Sequence, residues 1–448
     1  MSKLFGTDGI RGVANTELTP ELAFKVGRAA AYILSNGENG KVLVGKDTRA
    51  SGDMLESALV AGITSMGLDV VLLGIIPTPA VAYLTRKYSA LAGVVISASH
   101  NPGEYNGIKF FDNKGLKLPD EMEDKIEEIV KDSKELDTHR PTGERIGRVN
   151  IEKNSSTDYK EYLKSTINID LTGMKIAMDC GHGALYNIGP EIIRELNGQV
   201  VVVNDTPDGM NINRKCGSTN PDIIKNLVIE EKADMGISFD GDGDRIIAVD
   251  NKGNLVDGDH ILAICATHLK EKDKLPNNTV VGTVMTNMGL DIYLKENGMD
   301  IVKTSVGDRY VLEEMLKSGY VIGGEQSGHI IFLDYNTTGD GLATGLHLLE
   351  VIQETGKSLN DLNKLMTNYP QVLVNAKVDN DKKYKYLEDE VIKEEIEKIE
   401  EIFHGQGRVV IRPSGTEPLV RVMIEGKNQE EITTIAKNLA QTIEKRIG

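Results

Sequence analysis

The chain has 448 residues, of which 40% are hydrophobic and 27% are charged, a composition typical of a globular protein with roughly three domains. It carries 51 Lys and Arg against 68 Asp and Glu, and the resulting net charge of −17 argues against nucleic acid or anionic membranes as partners. No apolar run approaches the ~20 residues of a membrane span, and three widely spaced cysteines favour neither a disulfide framework nor a zinc site, so we expect a reduced, cytoplasmic compartment.

An internal repeat organises most of the chain. In each copy a short apolar run, an amphipathic stretch, a glycine and a second apolar run follow one another, which is typical of strand–helix–strand units in a largely parallel sheet. A strand–loop–strand segment follows each copy, and the polar loops of these segments cover residues 97–102, 240–245 and 323–329. Because the loops occupy equivalent positions, they could together build one composite site.

The tail departs from this repeat. A helix, a strand, a loop, a strand and a second helix are predicted there, in that order, at residues 384–403, 408–412, 413–418, 419–425 and 430–446. The predicted fold is α/β, with three similar mixed α/β domains around a cleft and a smaller C-terminal α+β domain. We place the four domains at residues 1–150, 151–255, 256–368 and 369–448.

The second loop places three carboxylates close together. Asp240, Asp242 and Asp244 alternate with glycines between two apolar runs, and three like charges so close repel strongly unless a cation neutralises them. Oxygen ligands favour Mg²⁺ or Ca²⁺. An EF-hand loop is excluded, because its sixth position would be Arg245 and its twelfth Asn251. A solvated acidic turn is the alternative, and the apolar flanks favour the metal site.

The first loop contains candidate nucleophiles. Ser97, Ser99 and His100 lie in it, but the loop lacks the pattern of a serine-hydrolase elbow. Taken alone it is more typical of a structural turn. Beside a divalent cation, however, a serine that accepts a phosphoryl group would supply a further metal ligand.

Two more loops carry groups suited to a phosphorylated sugar. Glu325, Ser327 and His329 offer an acceptor, a hydroxyl and a titratable ring, although such a set is more often a plain turn. The loop at residues 412–418, with Arg421 after it, offers two arginines, hydroxyls and a glycine to an anion, and a hairpin turn with surface arginines is its alternative. The glycines of residues 5–12 do not follow the dinucleotide-binding order.

With these loops in place, the sequence resembles the α-D-phosphohexomutase superfamily over essentially its whole length, and within it the phosphoglucosamine mutases. Six segments in the superfamily's order carry the resemblance, T-D-G-I-R-G, S-A-S-H-N-P, N-G-I-K, D-G-D-G-D-R, G-E-Q-S-G-H and R-P-S-G-T-E-P, at residues 7–12, 97–102, 106–109, 240–245, 324–329 and 412–418. The G-E-Q-S-G-H loop is similar to phosphoglucosamine mutases, whereas phosphomannomutase/phosphoglucomutase relatives usually carry G-E-M-S-A-H.

The resemblance implies roles for individual residues. Ser99 would be a required phosphoserine, and its phosphate would hold one Mg²⁺ per chain together with Asp240, Asp242 and Asp244. Lys109, Arg11 and His329 would line the transfer site as acid–base or charge-stabilising groups, with either Lys109 or His329 as the general base. Contacts to the substrate's sugar or phosphate are implied for Glu325, Ser327, Arg245, Arg412, Ser414, Gly415, Thr416 and Arg421.

The resulting hypothesis is the reversible conversion of glucosamine 6-phosphate to glucosamine 1-phosphate through a 1,6-bisphosphate, feeding UDP-N-acetylglucosamine and cell-wall precursor synthesis. The partners would be small sugar phosphates, and members of the family are often dimers, although no residue here indicates a homodimer. A phosphomannomutase/phosphoglucomutase of broader specificity is the main alternative. A non-catalytic Ca²⁺-binding or sugar-phosphate-sensing protein and a metal-dependent phosphatase are the other two.

Overall fold

The fold is taken from a computed structural model, which describes residues 4–6, 8–132, 134–414 and 418–448. The chain divides into two compact units, each described here by itself. The first comprises Met1–Thr283 with Thr304–Leu365, and the second Val284–Lys303 with Met366–Gly448. None of the helices in the described part combines the length and apolarity that crossing a bilayer requires.

The first unit begins with a six-stranded mixed sheet in the order β1-β5-β4-β2-β3-β6. Its strands are β1 (Ile10–Val13), β2 (Lys41–Lys46), β3 (Asp69–Ile75), β4 (Ala92–Ile96), β5 (Tyr105–Asp112) and β6 (Val149–Ile151). Strands β2, β3, β4 and β6 run parallel, whereas β5 is antiparallel to both of its neighbours. The helices of this part are α1 (Pro20–Ser35), α2 (Ser51–Thr64), α3 (Thr78–Lys87), α4 (Asp120–Lys131) and α5 (Lys134–Asp137).

Local chemistry and burial explain why these segments fold as they do. Thr19 caps α1 by accepting a hydrogen bond from the Leu22 amide, and Pro20 occupies the first helical position, where its fixed φ is favourable. Every residue of β4 is buried, because the sheet is covered on both faces. Apolar side chains from β2, β4, α1 and α2 form one continuous core.

A five-stranded sheet follows in the order β11-β10-β9-β7-β8. It contains β7 (Lys175–Asp179), β8 (Gln199–Val203), β9 (Met235–Phe239), β10 (Ile246–Asp250) and β11 (Leu255–Val256), with helices α6 (Ser155–Ser165), α7 (Ile188–Glu195) and α8 (Asp222–Glu231). Strand β9 is parallel to β7 and antiparallel to β10, as β4 is parallel to β2 and antiparallel to β5.

The third part of the first unit repeats this arrangement. Strand β12 (Thr279–Thr283) is parallel to β14 (Ile322–Gly324), which is antiparallel to β15 (Ile330–Phe332). Its helices are α9 (Gly258–Glu271), α11 (Asp308–Ser318), α12 (Gly341–Thr355) and α13 (Leu359–Leu362). Each predicted strand–loop–strand segment is thus an antiparallel pair beside a parallel strand, and the repeat inferred from the sequence is confirmed.

The second unit contains an antiparallel sheet of β16 (Gln371–Lys377), β18 (Leu419–Gly426) and β17 (Gly407–Pro413), in that order. Helices α14 (Glu390–Phe403) and α15 (Gln429–Ile447) contribute apolar side chains to its core, and α10 (Met288–Glu296) belongs to the same unit. The remaining strand, β13, covers Asp300–Thr304. The predicted class, α/β domains followed by a smaller C-terminal domain, is confirmed.

Two details differ from the sequence-based expectation. The helix predicted over residues 384–403 begins only at Glu390, because the Asp389 side chain accepts hydrogen bonds from the amides of Val391 and Ile392 and so caps it there. Strand β1 was not predicted at all. It forms through pairing with β5, almost a hundred residues away, which a local pattern does not reveal.

Candidate active site

Ser99 lies in the loop that follows β4, in contact with the carboxylate loop that follows β9. Its side-chain Oγ donates a hydrogen bond of 2.6 Å to Asp240 Oδ2, and the residue is 1% exposed. The backbone of Ser99 is left-handed, with φ at +52°, which is uncommon for a residue other than glycine. The first and second predicted loops therefore meet at their most reactive groups.

The three carboxylates predicted to bind a metal form one cluster. Asp240, Asp242 and Asp244 are all buried, and one oxygen of each lies within 4.8 Å of the others. The Oδ1 atoms of Asp242 and Asp244 have no hydrogen-bond partner among the described residues. Buried polar atoms rarely lack a partner. These oxygens therefore fit a hard divalent cation such as Mg²⁺ or Ca²⁺.

Glycines allow this cluster to lie directly against the serine loop. A Cβ atom at Gly241 would lie 2.7 Å from the Ser99 carbonyl oxygen, so a side chain at this position would force the two loops apart. Gly243 has a φ of +73°, a backbone conformation that costs a glycine little. The alternation of aspartate and glycine is thus required by the close approach of the two loops as well as by the carboxylates.

The pKa values of the aspartates differ according to their surroundings. Burial, together with repulsion from Asp244 and Asp242, raises the pKa of Asp240 well above its ordinary value. Burial also acts to raise the pKa of Asp242, but the ammonium of Lys109 and a hydrogen bond from Thr78 lower it to about 2. Asp242 is therefore ionised at neutral pH, whereas a bound cation would favour the ionised form of Asp240.

Lys109, on β5, joins the carboxylate cluster to the N-terminal motif. Its ammonium Nζ lies 3.2 Å from Asp242 Oδ2, 2.9 Å from Asp8 Oδ2 and 3.8 Å from Asp244 Oδ2. Burial acts to lower the pKa of Lys109, but these carboxylates raise it above its ordinary value. Arg11 lies on β1, which pairs with β5, and its guanidinium also contacts Asp8. Both predicted cations are thus at the site.

Arg245 and His100 lie beside the serine. Arg245 Nη1 is 3.2 Å from His100 Nδ1, and the Arg245 amide donates to Asp240 Oδ1 at 3.2 Å. His100 Nδ1 is 3.3 Å from Ser99 Oγ. Burial, with the charges of Arg245 and Arg11, lowers the pKa of His100 to about 4, so its imidazole is neutral at neutral pH.

The third predicted loop, between β14 and β15, packs on the second. The Ile246 amide donates to the Gly328 carbonyl at 3.0 Å. His329 is 2% exposed, neither of its ring nitrogens has a hydrogen-bond partner among the described residues, and its Nε2 lies 3.9 Å from Asp308 Oδ2. Glu325 Oε1 accepts a hydrogen bond from the Gly307 amide at 3.1 Å. Ser327 is exposed.

One pocket, with about 440 Å³ of empty space, brings part of this set together. Lys109, Asp244 and His329 line it, and so do Asp8 and Lys117. Glu325 and Ser327 do not line it. The structure thus gathers cations, carboxylates and an unbonded imidazole around one space, and Ser99, Asp240 and Asp242 are not among the residues that line it.

The predicted phosphate-binding arginines lie in the second unit. Arg412 on β17 and Arg421 on β18 are directly opposite one another in the antiparallel register. Residues opposite one another in an antiparallel pair project from the same face of the sheet, so both arginines lie on one face of β17 and β18. Ser414 follows β17, and its carbonyl accepts a hydrogen bond from the buried Lys383 ammonium at 2.6 Å. The remaining predicted residues of this loop, Gly415 and Thr416, lie outside the described residues.

Known protein families and curated relatives match the chain over its whole length. All four domain models of phosphoglucomutase/phosphomannomutase match the chain, domain I at residues 2–137, domain II at 157–253, domain III at 257–369 and the C-terminal domain at 373–442. The chain is 59% identical to a phosphoglucosamine mutase of Alkaliphilus metalliredigens and 60% identical to one of Caldanaerobacter subterraneus, over the full length of each. The chain belongs to the phosphoglucomutase/phosphomannomutase family.

Two solved structures share the fold of the chain. A family protein from Burkholderia thailandensis superimposes with a TM-score of 0.82 at 23% identity, covering 99% of this chain and 98% of its own. An N-acetylphosphoglucosamine mutase from Aspergillus fumigatus, solved with GlcNAc-6P and magnesium, gives a TM-score of 0.71 at 17% identity, covering 99% of this chain and 95% of its own. The family resemblance inferred from the six motifs is confirmed.

The structure of this family member also shows residues that the sequence analysis did not select. Asp8 lies between two of the predicted cations, and Thr78 donates a hydrogen bond of 2.7 Å from its Oγ1 to Asp242 Oδ2. Lys383 supports the Ser414 carbonyl. Asp8 carried a signal, because it lies within the first motif. Thr78 and Lys383 are single polar residues whose contacts depend on the tertiary fold, so no local pattern marks them.

Proposed function

We propose that this protein interconverts glucosamine 6-phosphate and glucosamine 1-phosphate through a phosphorylated Ser99. The observation that carries the proposal is the direct contact of Ser99 Oγ with Asp240 inside a buried cluster of carboxylates that Lys109 faces. The relatives that are 59% and 60% identical over their full length are named for this activity. Sugar phosphates are the substrates that the family implies.

We propose that Asp240, Asp242 and Asp244, with a phosphoryl oxygen on Ser99, hold one Mg²⁺ per chain. The Oδ1 atoms of Asp242 and Asp244, which lack a hydrogen-bond partner among the described residues, and the burial of all three carboxylates fit this ion. When bound, the cation would neutralise the carboxylates and stabilise negative charge on the phosphoryl oxygens.

The transfer itself requires a donor, an acceptor and a path for one proton. In the proposed reaction the bond between Ser99 Oγ and phosphorus breaks, and a bond forms between phosphorus and the O1 or O6 hydroxyl oxygen of the sugar phosphate. The carboxylates around Lys109 raise its pKa and keep it an ammonium, so the hydroxyl proton passes to a ring nitrogen of His329. Ser99 Oγ takes up one proton as it leaves phosphorus. The 1,6-bisphosphate then reverses its orientation in the site, so that its other phosphoryl group is transferred to Ser99.

The protein's own contribution is placement and charge, which dominate phosphoryl transfer. Lys109 and Arg11 present positive charge to the site, and His329 offers ring nitrogens that no described group bonds. We assign sugar hydroxyls to Glu325 and Ser327. We assign the phosphate of the substrate to Arg412, Ser414, Gly415, Thr416 and Arg421, and a separate contact to the substrate to Arg245.

The remaining features follow from this assignment. We place the domain boundaries near residues 150, 255 and 368, as the sequence predicts. The product would feed UDP-N-acetylglucosamine and cell-wall precursor synthesis in the cytoplasm, where the three buried free thiols would stay reduced. A homodimer is expected from the family, and light scattering on a size-exclusion column would measure it.

The decisive test of substrate class compares kcat/KM for the phosphates of glucosamine, glucose and mannose. The proposal predicts the highest value for glucosamine phosphates. Equal or higher values for glucose or mannose phosphates would favour the broader phosphomannomutase/phosphoglucomutase activity, which the names of the matching domain models keep open. Release of inorganic phosphate without isomer formation would point instead to a phosphatase.

A further inference from the structure

A buried arginine lies directly behind the serine loop. Arg49 follows β2 and is 2% exposed. Its Nε donates to Asp47 Oδ2 at 2.9 Å, and its amide donates to Asp47 Oδ1, also at 2.9 Å. The side chains of both residues are fully excluded from solvent. The charge of Arg49 is therefore balanced by Asp47, its ion-pair partner among the described residues.

The two terminal nitrogens of this guanidinium donate hydrogen bonds to backbone carbonyls in and just after the serine loop. Arg49 Nη2 donates to the carbonyls of Ser99 at 3.0 Å and Asn101 at 2.8 Å. Its Nη1 donates to the carbonyls of Pro102 and Tyr105. A guanidinium carries five N–H donors. All five are thus used, three of them on carbonyls of the loop that carries Ser99 and one on the carbonyl of Tyr105, where β5 begins.

The amide of Ser99 is held through the same ion pair. It donates to Ser97 Oγ at 2.9 Å, and Ser97 Oγ in turn donates to Asp47 Oδ2 at 2.6 Å. A second group, the side-chain Nδ2 of Asn213, also donates hydrogen bonds to the carbonyls of Ser99 and Asn101. Both backbone polar groups of Ser99 are therefore fixed while its φ is positive.

We propose that Arg49 is a positioning residue for phosphoryl transfer, which with Asp47 and Ser97 fixes Ser99 so that its Oγ faces Asp240. The inference rests on the proposed function of Ser99. Arg49 contacts the backbone of the loop and acts on the reacting oxygen only through it. A planar fork of donors suits this task, whereas a lysine offers its donors from a single point and cannot span four carbonyls.

The test measures a single turnover on Arg49→Lys. Enzyme labelled with ³²P on Ser99 is mixed with excess glucosamine 6-phosphate, and transfer of the label to sugar is followed in time. A displacement of about 1 Å can reduce a rate by roughly 100-fold, so we expect a fall of that order in the rate constant, with little change in KM. Arg28→Lys is the matched control. Arg28 is also a buried arginine, but it lies on α1 and pairs with Asp137 instead of contacting the serine loop.

The readout separates positioning from a general loss of folded protein. Loss of folded protein lowers the amplitude of the single turnover and leaves its rate constant unchanged. A wild-type rate constant in Arg49→Lys would overturn the inference. If wild-type enzyme itself transfers no label to the sugar, the proposed function fails instead, so the two failures are distinguishable.

A second variant keeps the inference testable if Arg49→Lys does not fold. Ser97→Ala removes one hydroxyl from the same set of hydrogen bonds and leaves the ion pair in place. The loss of a buried hydrogen-bond partner is expected to slow transfer about tenfold. An unchanged single-turnover rate constant in this variant would contradict the proposed set of contacts.

Discussion

Asp244 is the aspartate whose role as a metal ligand can be tested most cleanly. One of its oxygens has no hydrogen-bond partner among the described residues, and the Lys109 ammonium is no closer than 3.8 Å. Asp244→Asn keeps the shape of the side chain and removes its charge. Because the carboxylates attract the cation, we expect Mg²⁺ affinity, measured by isothermal titration calorimetry, to fall at least about tenfold.

Asp250→Asn provides the matched control for this measurement. Asp250 is equally buried, at the end of β10, and its carboxylate accepts hydrogen bonds from the amides of Lys252 and Asn254. This variant should bind Mg²⁺ with wild-type affinity. The metal assignment fails if Asp244→Asn binds Mg²⁺ as tightly as the wild type does.

At the residue scale the sequence predicted the reactive groups but not the groups that hold them. The three aspartates lie in a loop whose composition is unusual, and Ser99 lies in one of the six motifs that carry the family resemblance, so all four could be selected before any contact was known. Arg49 could not be selected, because four of its hydrogen bonds go to backbone carbonyls about fifty residues away, and backbone acceptors leave no trace in the sequence.

At the scale of elements, the register of β17 and β18 places Arg412 opposite Arg421. If this pair holds the phosphate of the substrate, inorganic phosphate should raise the melting temperature of the wild type by mass action. We expect a clearly smaller rise for Arg421→Ala. Differential scanning fluorimetry at increasing phosphate concentration measures both shifts.

A surface arginine of the same unit is the control for this prediction. Arg446, near the end of α15, pairs with Asp389 at 2.8 Å and lies outside the predicted phosphate loop. Arg446→Ala should retain the stabilisation by phosphate. The assignment of Arg421 would be wrong if phosphate stabilised Arg421→Ala as strongly as the wild type.

The elements that escaped prediction depend on distant partners or on single capping residues. Strand β1 exists because it pairs with β5, and α14 begins at Glu390 because Asp389 caps it. The long apolar strands and the amphipathic helices were predictable, since their periodicity is local. The direction in which β4 pairs with β5, β9 with β10 and β14 with β15 is not encoded in local periodicity, so only the structure shows that these pairs are antiparallel.

At the scale of the whole molecule, all three cysteines are buried free thiols. Burial raises the pKa of Cys216 and of Cys265 to about 12, so both stay protonated at pH 8. Because the thiolate is the reactive form, we expect negligible labelling of native protein by a thiol reagent at pH 8 and labelling of all three cysteines in urea. Rapid labelling under native conditions would contradict the described packing.

The same pKa shift has a consequence for stability. An unfolded cysteine ionises near a pKa of about 8.5, whereas the native thiols keep their protons to higher pH. The native state therefore binds more protons over this interval, and the free energy of unfolding should fall as pH rises from about 8.5 towards 12. Urea unfolding at several pH values measures this dependence, and stability that rises over the interval would contradict it.

Part of the net charge of −17 is located at the candidate active site. Three of the acidic residues form the buried cluster, and the cations that face it are few. Under the proposed function an anionic sugar phosphate would meet Lys109, Arg11, Arg245 and a bound cation at the site, so the overall charge of the chain does not decide binding there. The composition argued against nucleic acid or an anionic membrane as a partner, but it did not exclude a small anionic ligand such as a sugar phosphate.

The central claim is that Ser99 carries the phosphoryl group between the two positions of the sugar. Wild-type protein and Ser99→Ala are first exposed to ³²P-labelled glucosamine 1,6-bisphosphate and then, after removal of free label, to unlabelled glucosamine 6-phosphate. We expect only the wild type to acquire label, and we expect this label to move to the sugar. Label on Ser99→Ala, or label that leaves the wild type as inorganic phosphate, would contradict it.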